Sequence, residues 1–379
     1  MPKTIYCVAG EASGDNHGAA LMRSLREVIP DLRLAGRGGP QMKATAGPQF
    51  QDWIDHSAVV GLWEVAKNYG YFRAQFQETL REIERSRPAA VVFIDYPGFN
   101  LRLARALRKK AHRPRLIYYI SPQVWAWNRG RIKQMARWLD LMLCIFPFEA
   151  ELYNKSGLRT IFVGHPMHER LEPLRRETER QSDLVALFPG SRRREIRKIF
   201  PVMLETAQEL RRSRPRLRFE VAAASPDLAR EIEGQLQCWP NERPFFDVKA
   251  GSAAETMQRA QAGIVASGSA TLEAAYFRLP FVLIYKVAWL TYLAGRLVVK
   301  VDYLGMPNVL ANEAVVPEFI QHEARPRALA AAVARLLDDP SARAKMTARF
   351  DEIIGSLGEG GASERAAAAI AQELKAAPS

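Results

Sequence analysis

The 379-residue sequence has little cysteine, fewer acidic than basic residues and no long apolar run. Its three cysteines lie far apart with no Cys-x-x-Cys or His-rich spacing, so we expect neither a disulfide framework nor a metal site. No run of 18 or more apolar residues occurs, and the first apolar run is too short for a secretory signal. These absences predict a protein of the reducing cytoplasm with no bilayer-spanning segment.

The deficit of acid leaves a strong positive charge. Lysine and arginine number 54 against 41 aspartates and glutamates, for a net charge of +13. Much of the excess lies in runs around residues 102–115, 192–198 and 211–218. A basic surface attracts nucleic acid, an anionic membrane or a phosphorylated ligand, and charge alone does not choose among them. Solvated helix faces are the structural alternative.

Short apolar segments alternate with amphipathic ones along most of the chain. The segments "TIYCVAG", "AAVVFID", "RLIYYIS", "LDLMLCIF" and "RTIFVG" are nearly apolar throughout, as strands of a parallel sheet covered on both faces must be. The charged stretch "HERLEPLRRETERQSD" then separates them from a second such series. The pattern predicts two doubly wound α/β domains, residues 1–168 and 169–349. "GRGG" at 36–39 has a poor strand context, and Pro201 is expected to bend or split its helix.

Four polar or glycine-rich loops follow apolar strands: "AGEASGD", "IDYPGFN", "FPGSRRRE" and "ASGSATLE". Ligands of open parallel sheets gather at such junctions, beyond the carboxyl ends of the strands. The last two loops fit an anionic ligand, because each precedes a helix N-terminus with free N–H groups. Their candidate residues for a diphosphate and its nucleoside are Gly190, Ser191, Arg192, Ser267, Gly268, Ser269, Thr271 and, for the ribose hydroxyls, Glu273. Ordinary strand-to-helix turns with exposed arginines are the alternative.

Asp95 is the candidate general base. An aspartate at the exit of an apolar strand is partly desolvated and therefore poised to take a proton from a hydroxyl. An Asx turn, in which the carboxylate bonds the following N–H groups, explains the same residue without catalysis. Glu11, Ser13 and Asp15 could contact the same ligand, although Ser13 or Asp15 could equally cap the first helix.

Two stretches have the composition of interfacial helices. Residues 59–72 and 287–306 are rich in apolar and aromatic side chains and carry lysine or arginine near their ends. In the first stretch, the candidate membrane or acyl-chain contacts are Val60, Leu62, Trp63, Tyr69 and Phe72. A buried core helix is the alternative for each stretch.

Eight motifs, in order along most of the chain, resemble the lipid-A-disaccharide synthase family of glycosyltransferases. They are "AGEASGD", "IDYPGFN", "SPQVWAW", "FPFE", "VGHP", "FPGSRRREI", "SGSATLEAA" and "PNVLANE" with "PEFIQ". "FPGS" and "SGSAT" depart slightly from the family's more usual Leu-Pro-Gly-Ser and Ser-Gly-Thr-Ala-Thr. The resemblance implies the GT-B fold, with two Rossmann-like domains facing an interdomain cleft and a C-terminal helix, about 350–379, packed on the first domain.

The resemblance also implies a reaction. It is inverting, metal-independent transfer of 2,3-diacylglucosamine from UDP to the 6-hydroxyl of 2,3-diacylglucosamine 1-phosphate, without a cofactor. By motif matching, Asp95 falls on the proposed base, Arg192 and Glu273 fall on nucleotide contacts, Asn312 joins the UDP contacts, and Asn100 joins the sugar contacts. The family works on the inner face of the bacterial inner membrane, against an anionic lipid surface. Nucleic acid is not an expected partner, and a homodimer is compatible with the sequence.

Two other functions are weighed against this one. A related GT-B enzyme, such as a UDP-N-acetylglucosamine 2-epimerase, would share the loops but would not need an exposed apolar segment at 59–72. A basic nucleic-acid-binding protein would interleave aromatic residues with its arginines. The tryptophans lie mostly elsewhere in the sequence.

Overall fold

The computed structural model describes residues 3–54, 69–111, 113–288 and 302–376. Contacts divide the chain into two compact units. Unit 1 comprises Met1–Glu169 together with Leu357–Ser379, and unit 2 is the continuous segment Arg170–Ser356. Each unit is an alternation of strands and helices.

The strands of unit 1 are β1 (Thr4–Ala9), β2 (Arg33–Gly38), β3 (Gln51–Asp52), β4 (Ala90–Ile94), β5 (Arg115–Tyr119), β6 (Leu141–Cys144) and β7 (Thr160–Phe162). Its helices are α1 (Ala12–Val28), α2 (Pro40–Ala46), α3 (Tyr69–Ser86), α4 (Pro97–Leu107), α5 (Val124–Trp127), α6 (Gly130–Trp138) and α7 (Pro147–Asn154). The short helix α8 (Met167–Leu171) runs across the boundary between the units.

The strands of unit 2 are β8 (Gln181–Phe188), β9 (Arg218–Ala223), β10 (Phe246–Ala250), β11 (Ala260–Ala266), β12 (Phe281–Tyr285) and β13 (Glu318–Ile320). Its helices are α9 (Arg193–Ser213), α10 (Pro226–Leu236), α11 (Ala253–Arg259), α12 (Ser269–Tyr276), α13 (Met306–Ala311), α14 (Pro326–Asp338) and α15 (Pro340–Ser356). The last helix of the chain, α16 (Ala362–Ala376), belongs to unit 1.

Each unit is built on one sheet of parallel strands. The order is β3-β2-β1-β4-β5-β6-β7 in unit 1 and β10-β9-β8-β11-β12-β13 in unit 2. In both sheets the order reverses beside the first strand, as in doubly wound folds. The central strands are fully buried because helices cover both faces, which explains their apolar sequences. The predicted class of two doubly wound α/β domains is confirmed.

The strand β2 was not predicted from the sequence. It contains the buried Arg37, a residue type that strand patterns do not anticipate, and Gly36 with φ 136°. The guanidinium of Arg37 donates to the carboxylate of Glu82 on α3 at 3.1 and 2.6 Å. A buried charge is tolerated only with such a partner. Arg37 made this strand hard to recognise in the sequence, and its charge is balanced by Glu82 on a helix 45 residues further along the chain.

Pro201 neither splits α9 nor ends it. The helix runs without interruption from Arg193 to Ser213, with Pro201 inside. Buried side chains of Ile196, Phe200 and Met203 precede and follow the proline on the inner face. Of the two expected effects, a bend or a split, the split does not occur, because burial of this face outweighs the backbone hydrogen bond that a proline removes.

The helix α16 returns to unit 1, where it lies against α1 and β5. Glu169 caps its N-terminus by accepting the backbone N–H of Ala362 at 2.5 Å. Near its end, the buried carboxylate of Glu373 pairs with Arg159 at 2.5 Å and Arg115 at 3.6 Å. Among the helices in the described ranges, none is long and apolar enough to cross a bilayer.

Candidate functional site

Asp95 lies directly after β4, where the backbone leaves the sheet. The register pairs Ala9 of β1 with Ile94 of β4, so the loops after both strands emerge side by side. Asp95 and Tyr96 both have left-handed backbone angles, φ 46° and 49°. Non-glycine residues adopt this conformation at a cost, and it persists where the surroundings enforce it.

Hydrogen bonds fix the backbone of Asp95. Its N–H donates to the carbonyl of Tyr119 at 3.1 Å. Its carbonyl oxygen accepts from the Tyr118 hydroxyl at 2.6 Å and from the Asn100 side-chain amide at 2.7 Å. The N–H and the carbonyl oxygen of Asp95 are thus both hydrogen-bonded within unit 1, and none of these three bonds involves the carboxylate.

The carboxyl group of Asp95 titrates close to neutrality. Burial and, less strongly, the negative charge of Glu11 raise its pKa, the N–H of Tyr96 lowers it, and the net result is a rise from 3.8 to about 6. The Asx alternative needs the backbone N–H two residues after Asp95, and Pro97 at that position has none, so the contact with Tyr96 is not an Asx turn. Burial nevertheless has the larger effect, and a carboxylate with a pKa near 6 suits general-base chemistry.

The first loop, "AGEASGD", meets the Asp95 loop at Gly10. A Cβ on Gly10 would lie 2.2 Å from the ring of Tyr96, so only glycine lets this ring lie over the strand exit. Glu11 follows as the extended N-cap residue of α1. It is exposed, and its charge acts on Asp95. Ser13, the second residue of α1, is also exposed.

Two other predicted sugar contacts are engaged in bonds within unit 1. The buried carboxylate of Asp15 accepts the backbone N–H groups of Gly39, Gln41 and Met42, each at 2.9 Å, and thereby caps α2. Asn100 is fully buried, and its amide holds the carbonyl of Asp95. Both therefore shape the loops, while their contact with a sugar stays a prediction.

Sequence reasoning assigned no role to Glu149, although it ends the motif "FPFE". Its buried carboxylate accepts from the Trp125 indole at 2.9 Å and from the backbone N–H of Phe146 at 3.3 Å. Burial raises its pKa from 4.5 to about 7. Trp125 follows β5 and Glu149 follows β6, so their bond links the loops at the ends of two neighbouring strands. One indication of this pairing is present in the sequence, which is that "SPQVWAW" and "FPFE" are both among the motifs shared with the family.

In unit 2 the first phosphate-loop candidate follows β8. Gly190 has φ 115°, which favours glycine, and the N-cap residue of α9 is Arg192. The N–H of Ser191 donates to the carboxylate of Glu195 at 3.1 Å, and the guanidinium of Arg192 donates to the same carboxylate at 2.8 Å. Ser191 and Arg192 are exposed. The loop therefore has the two donors that an anion requires, and an internal carboxylate bonds both.

The second candidate loop emerges beside the first, because Val265 of β11 pairs with Phe188 of β8. Gly268 precedes α12 with φ 147°, and Ser269 is the first residue of that helix. Thr271 is fully buried, and its hydroxyl donates to the carbonyl of Gly268 at 2.8 Å, so it shapes the loop from within. The N–H of Ser267 donates to Ile284 of the neighbouring strand at 3.0 Å.

Glu273 lies on α12, and its carboxylate accepts from the exposed guanidinium of Arg170 at 2.7 Å. Asn312 ends α13 in a left-handed conformation with φ 50° and is exposed. The nearby Asn308 and Glu318, in "PNVLANE" and "PEFIQ", serve the fold. Asn308 is fully buried, and its amide donates to the carbonyl of Val316 and to Glu318, each at 2.8 Å.

The predicted membrane contacts are described only in part. Val60, Leu62 and Trp63 lie outside the described residues, as does the side chain of Tyr69. Phe72 is half-buried on α3, where its ring meets that of Tyr71 at 5.7 Å between centroids. Most of the second stretch, residues 289–301, also lies outside the described residues.

Comparison with known proteins places these loops in a family. Residues 5–372 match the model of the lipid-A-disaccharide synthetase family. The chain is 40% identical to the lipid-A-disaccharide synthase of Geobacter sulfurreducens, over 98% of this chain and 97% of the relative. It is 36% identical to lipid-A-disaccharide synthase 1 of Legionella pneumophila (strain Philadelphia 1), over 93% of each chain.

Solved structures show the fold alone. The UDP-GlcNAc 2-epimerase of Methanocaldococcus jannaschii has a TM-score of 0.61 at 11% identity, covering 98% of this chain and 100% of that one. A glycosyltransferase of kitacinnamycin has a TM-score of 0.62 at 15% identity, covering 99% of this chain and 100% of that one. The predicted GT-B architecture is confirmed by these likenesses.

Proposed function

This chain belongs to the lipid-A-disaccharide synthetase family and is a glycosyltransferase of lipid A biosynthesis, and we propose the reaction that it catalyses. The donor is UDP-2,3-diacylglucosamine and the acceptor is 2,3-diacylglucosamine 1-phosphate. The 6-hydroxyl of the acceptor attacks the anomeric carbon of the donor, the bond from that carbon to the diphosphate breaks, and UDP leaves. The product is the β-1,6-linked disaccharide 1-phosphate.

The observation that carries the proposal is Asp95, a half-buried acid with a pKa of about 6 on a backbone fixed in a left-handed conformation. The attacking hydroxyl gives its proton to this carboxylate as the new glycosidic bond forms. A base whose pKa lies near the working pH accelerates such a step by about 10²- to 10⁴-fold. The nearby Glu11 and the exposed Ser13 are proposed to bind sugar hydroxyls, together with Asp15 and Asn100.

The donor nucleotide is proposed to bind to the loops of unit 2. The N–H of Ser191 and the guanidinium of Arg192 hold the diphosphate, with Gly190 allowing its close approach. The second loop adds donors from Ser267, Gly268, Ser269 and Thr271, while Glu273 and Asn312 contact the nucleoside. These donors stabilise the charge that develops on the departing diphosphate, so the proposed reaction needs no added metal.

The reaction is tested by supplying both lipid substrates. Purified protein is incubated with UDP-2,3-diacylglucosamine and 2,3-diacylglucosamine 1-phosphate in detergent without added metal, and the lipids are analysed by mass spectrometry. We expect the tetra-acylated disaccharide 1-phosphate and one equivalent of UDP. Conversion of UDP-N-acetylglucosamine to its 2-epimer, with no disaccharide formed, would support an epimerase instead. Salt-sensitive binding of nucleic acid without any affinity for UDP would contradict a nucleotide-sugar enzyme.

We also propose that the protein binds the anionic inner face of the inner membrane through residues 59–72. Both substrates carry acyl chains, and the net charge of +13 attracts anionic lipid. Replacing Leu62 and Trp63 together by serine should move the protein from the pellet to the supernatant when it is sedimented with anionic vesicles. Unchanged sedimentation would favour a core role for this segment.

A further inference from the structure

Glu195 lies at the start of α9, directly beneath the loop proposed to hold the diphosphate. Its carboxylate accepts the N–H of Ser191 at 3.1 Å and the guanidinium of Arg192 at 2.8 Å. These are the same two donors that the proposed function assigns to the nucleotide. A carboxylate therefore occupies the hydrogen-bonding positions that a phosphate oxygen would need.

The fold builds this contact closely. A Cβ on Gly190 would lie 2.6 Å from the nearer carboxylate oxygen of Glu195 and 3.0 Å from its Cβ. Gly190 also has φ 115°. Glycine is thus required twice at this position, once for the backbone angle and once for the space that the glutamate side chain fills.

The negative charge of Glu195 also acts on a side chain at the end of another strand of the sheet. Its side chain is only 26% exposed. The pKa of Tyr285, at the end of β12, is raised by burial and then by the negative charge of Glu195. The neighbouring cations Arg193 and Arg197 pair with Glu231 on α10 instead, at 3.7 and 2.7 Å. The negative charge of Glu195 thus faces the proposed diphosphate loop with Arg192 as its described ion-pair partner.

Building on the proposed function, we propose that Glu195 sets the affinity for the nucleotide by competing with its diphosphate for the Ser191 N–H and the Arg192 guanidinium. The Ser191 N–H has a single hydrogen, so a diphosphate takes it fully only when the carboxylate gives it up. The Arg192 guanidinium has further N–H groups, but its positive charge is then shared between the diphosphate and a like-charged carboxylate. Both effects weaken the binding of UDP. They also help UDP to leave after transfer, because the carboxylate bonds the donors as the product departs.

The test is a calorimetric titration of the protein with UDP, using wild type, Glu195→Gln and Glu209→Gln. Gln keeps the size of the side chain and one acceptor oxygen but removes the charge. We expect Glu195→Gln to bind UDP about 3- to 10-fold more tightly, as the loss of one partly screened like charge predicts. Glu209→Gln makes the same change in charge near the other end of α9, at a side chain that is 25% exposed, and it should match the wild type.

Two further measurements distinguish competition between Glu195 and the diphosphate from a purely structural role of Glu195 as a cap on α9. The gain in Glu195→Gln should shrink as salt is raised, and uridine, which lacks the diphosphate, should bind both proteins equally. Equal or weaker UDP binding by Glu195→Gln, or an equal gain in Glu209→Gln, would overturn the inference. The proposed nucleotide site fails separately, if the wild type itself binds no UDP.

Discussion

Asp95 bears two costs that a purely structural aspartate avoids. Its backbone is left-handed, and its carboxyl is buried enough to raise the pKa to about 6. Three hydrogen bonds to its main chain hold the residue in place despite these costs. Strain and a perturbed pKa at one residue are typical of functional positions. We therefore expect the left-handed backbone and the raised pKa of Asp95 to serve catalysis.

Asp95→Asn should lower kcat by about 10²- to 10⁴-fold, because the carboxamide cannot take the proton. Asparagine tolerates the left-handed backbone, so the loop should keep its shape. UDP affinity should stay within about twofold of wild type, since its proposed ligands are in unit 2. Initial rates and a UDP titration measure the two quantities. The control is Asp31→Asn, another left-handed but exposed aspartate, at φ 60°. Near-normal turnover by Asp95→Asn would exclude Asp95 as the base.

The raised pKa of Asp95 predicts the pH dependence of catalysis. The base works when deprotonated, so kcat/KM should be constant above about pH 6 and fall about tenfold per pH unit below it. With an ordinary aspartate the plateau would extend to about pH 4. The acceptor phosphate also titrates near pH 6. The residual rate of Asp95→Asn distinguishes the two, because an inflection that belongs to Asp95 must disappear in that variant.

At the same scale, Glu149 and Glu195 show why single residues escaped prediction. Sequence reasoning found the loops, because glycines and polar residues after apolar strands are a local signal. The bond from Trp125 to Glu149 joins residues 24 apart, and no spacing rule predicts it. Glu195 is near its loop in sequence, but only the structure shows that its carboxylate bonds Ser191 and Arg192.

Strands and helices could be predicted from the sequence where the burial of apolar side chains alone specifies them. Apolar strands such as β4 follow from the sequence, whereas β2 was missed because it carries the buried Arg37. The helix α9 was predicted, but the sequence left a split at Pro201 open, and packing of the inner face keeps the helix continuous. In both cases a contact distant in sequence, or burial summed over a whole helix, overrides the local preference that pattern reasoning relies on.

The attachment of α16 to unit 1 gives a prediction at the element scale. Glu373 is 5% exposed and pairs with Arg159 and Arg115. Glu373→Ala should remove about 1.5–3 kcal/mol of local stability, the range for hydrogen bonds to charged groups. Amide hydrogen exchange of residues 362–376 should then be about 10- to 150-fold faster.

The matched control for that experiment is Gln372→Ala, an exposed residue on the same helix. It makes a similar truncation without removing an ion pair, so exchange in α16 should stay at the wild-type rate. Equal acceleration in the two variants would mean that the ion pairs contribute nothing specific. No acceleration in Glu373→Ala would show that the apolar contacts of α16 hold it alone.

At the scale of the whole molecule, the sequence predicted two doubly wound domains because the same strand and helix alternation occurs twice. The proposed chemistry is divided in the same way, with the base in unit 1 and the nucleotide ligands in unit 2. The chain crosses at Glu169 and Arg170, and these consecutive residues serve different units. Glu169 caps α16 in unit 1, while Arg170 pairs with Glu273 in unit 2. Such pairings, like the return of the last helix, depend on contacts that composition and periodicity do not encode.

This division predicts where UDP stabilises the protein. Hydrogen exchange should slow around residues 189–196 and 267–273 when UDP is added, since a ligand stabilises the segments that hold it. At 100 times Kd the gain reaches about 2.7 kcal/mol, or roughly 100-fold in rate, for openings that release the ligand. Residues 90–100 should exchange unchanged, and Arg192→Ala should abolish the protection at a matched UDP concentration. Protection confined to residues 3–169 would instead place the nucleotide in unit 1, and the assignment of donor and base to separate units would be wrong.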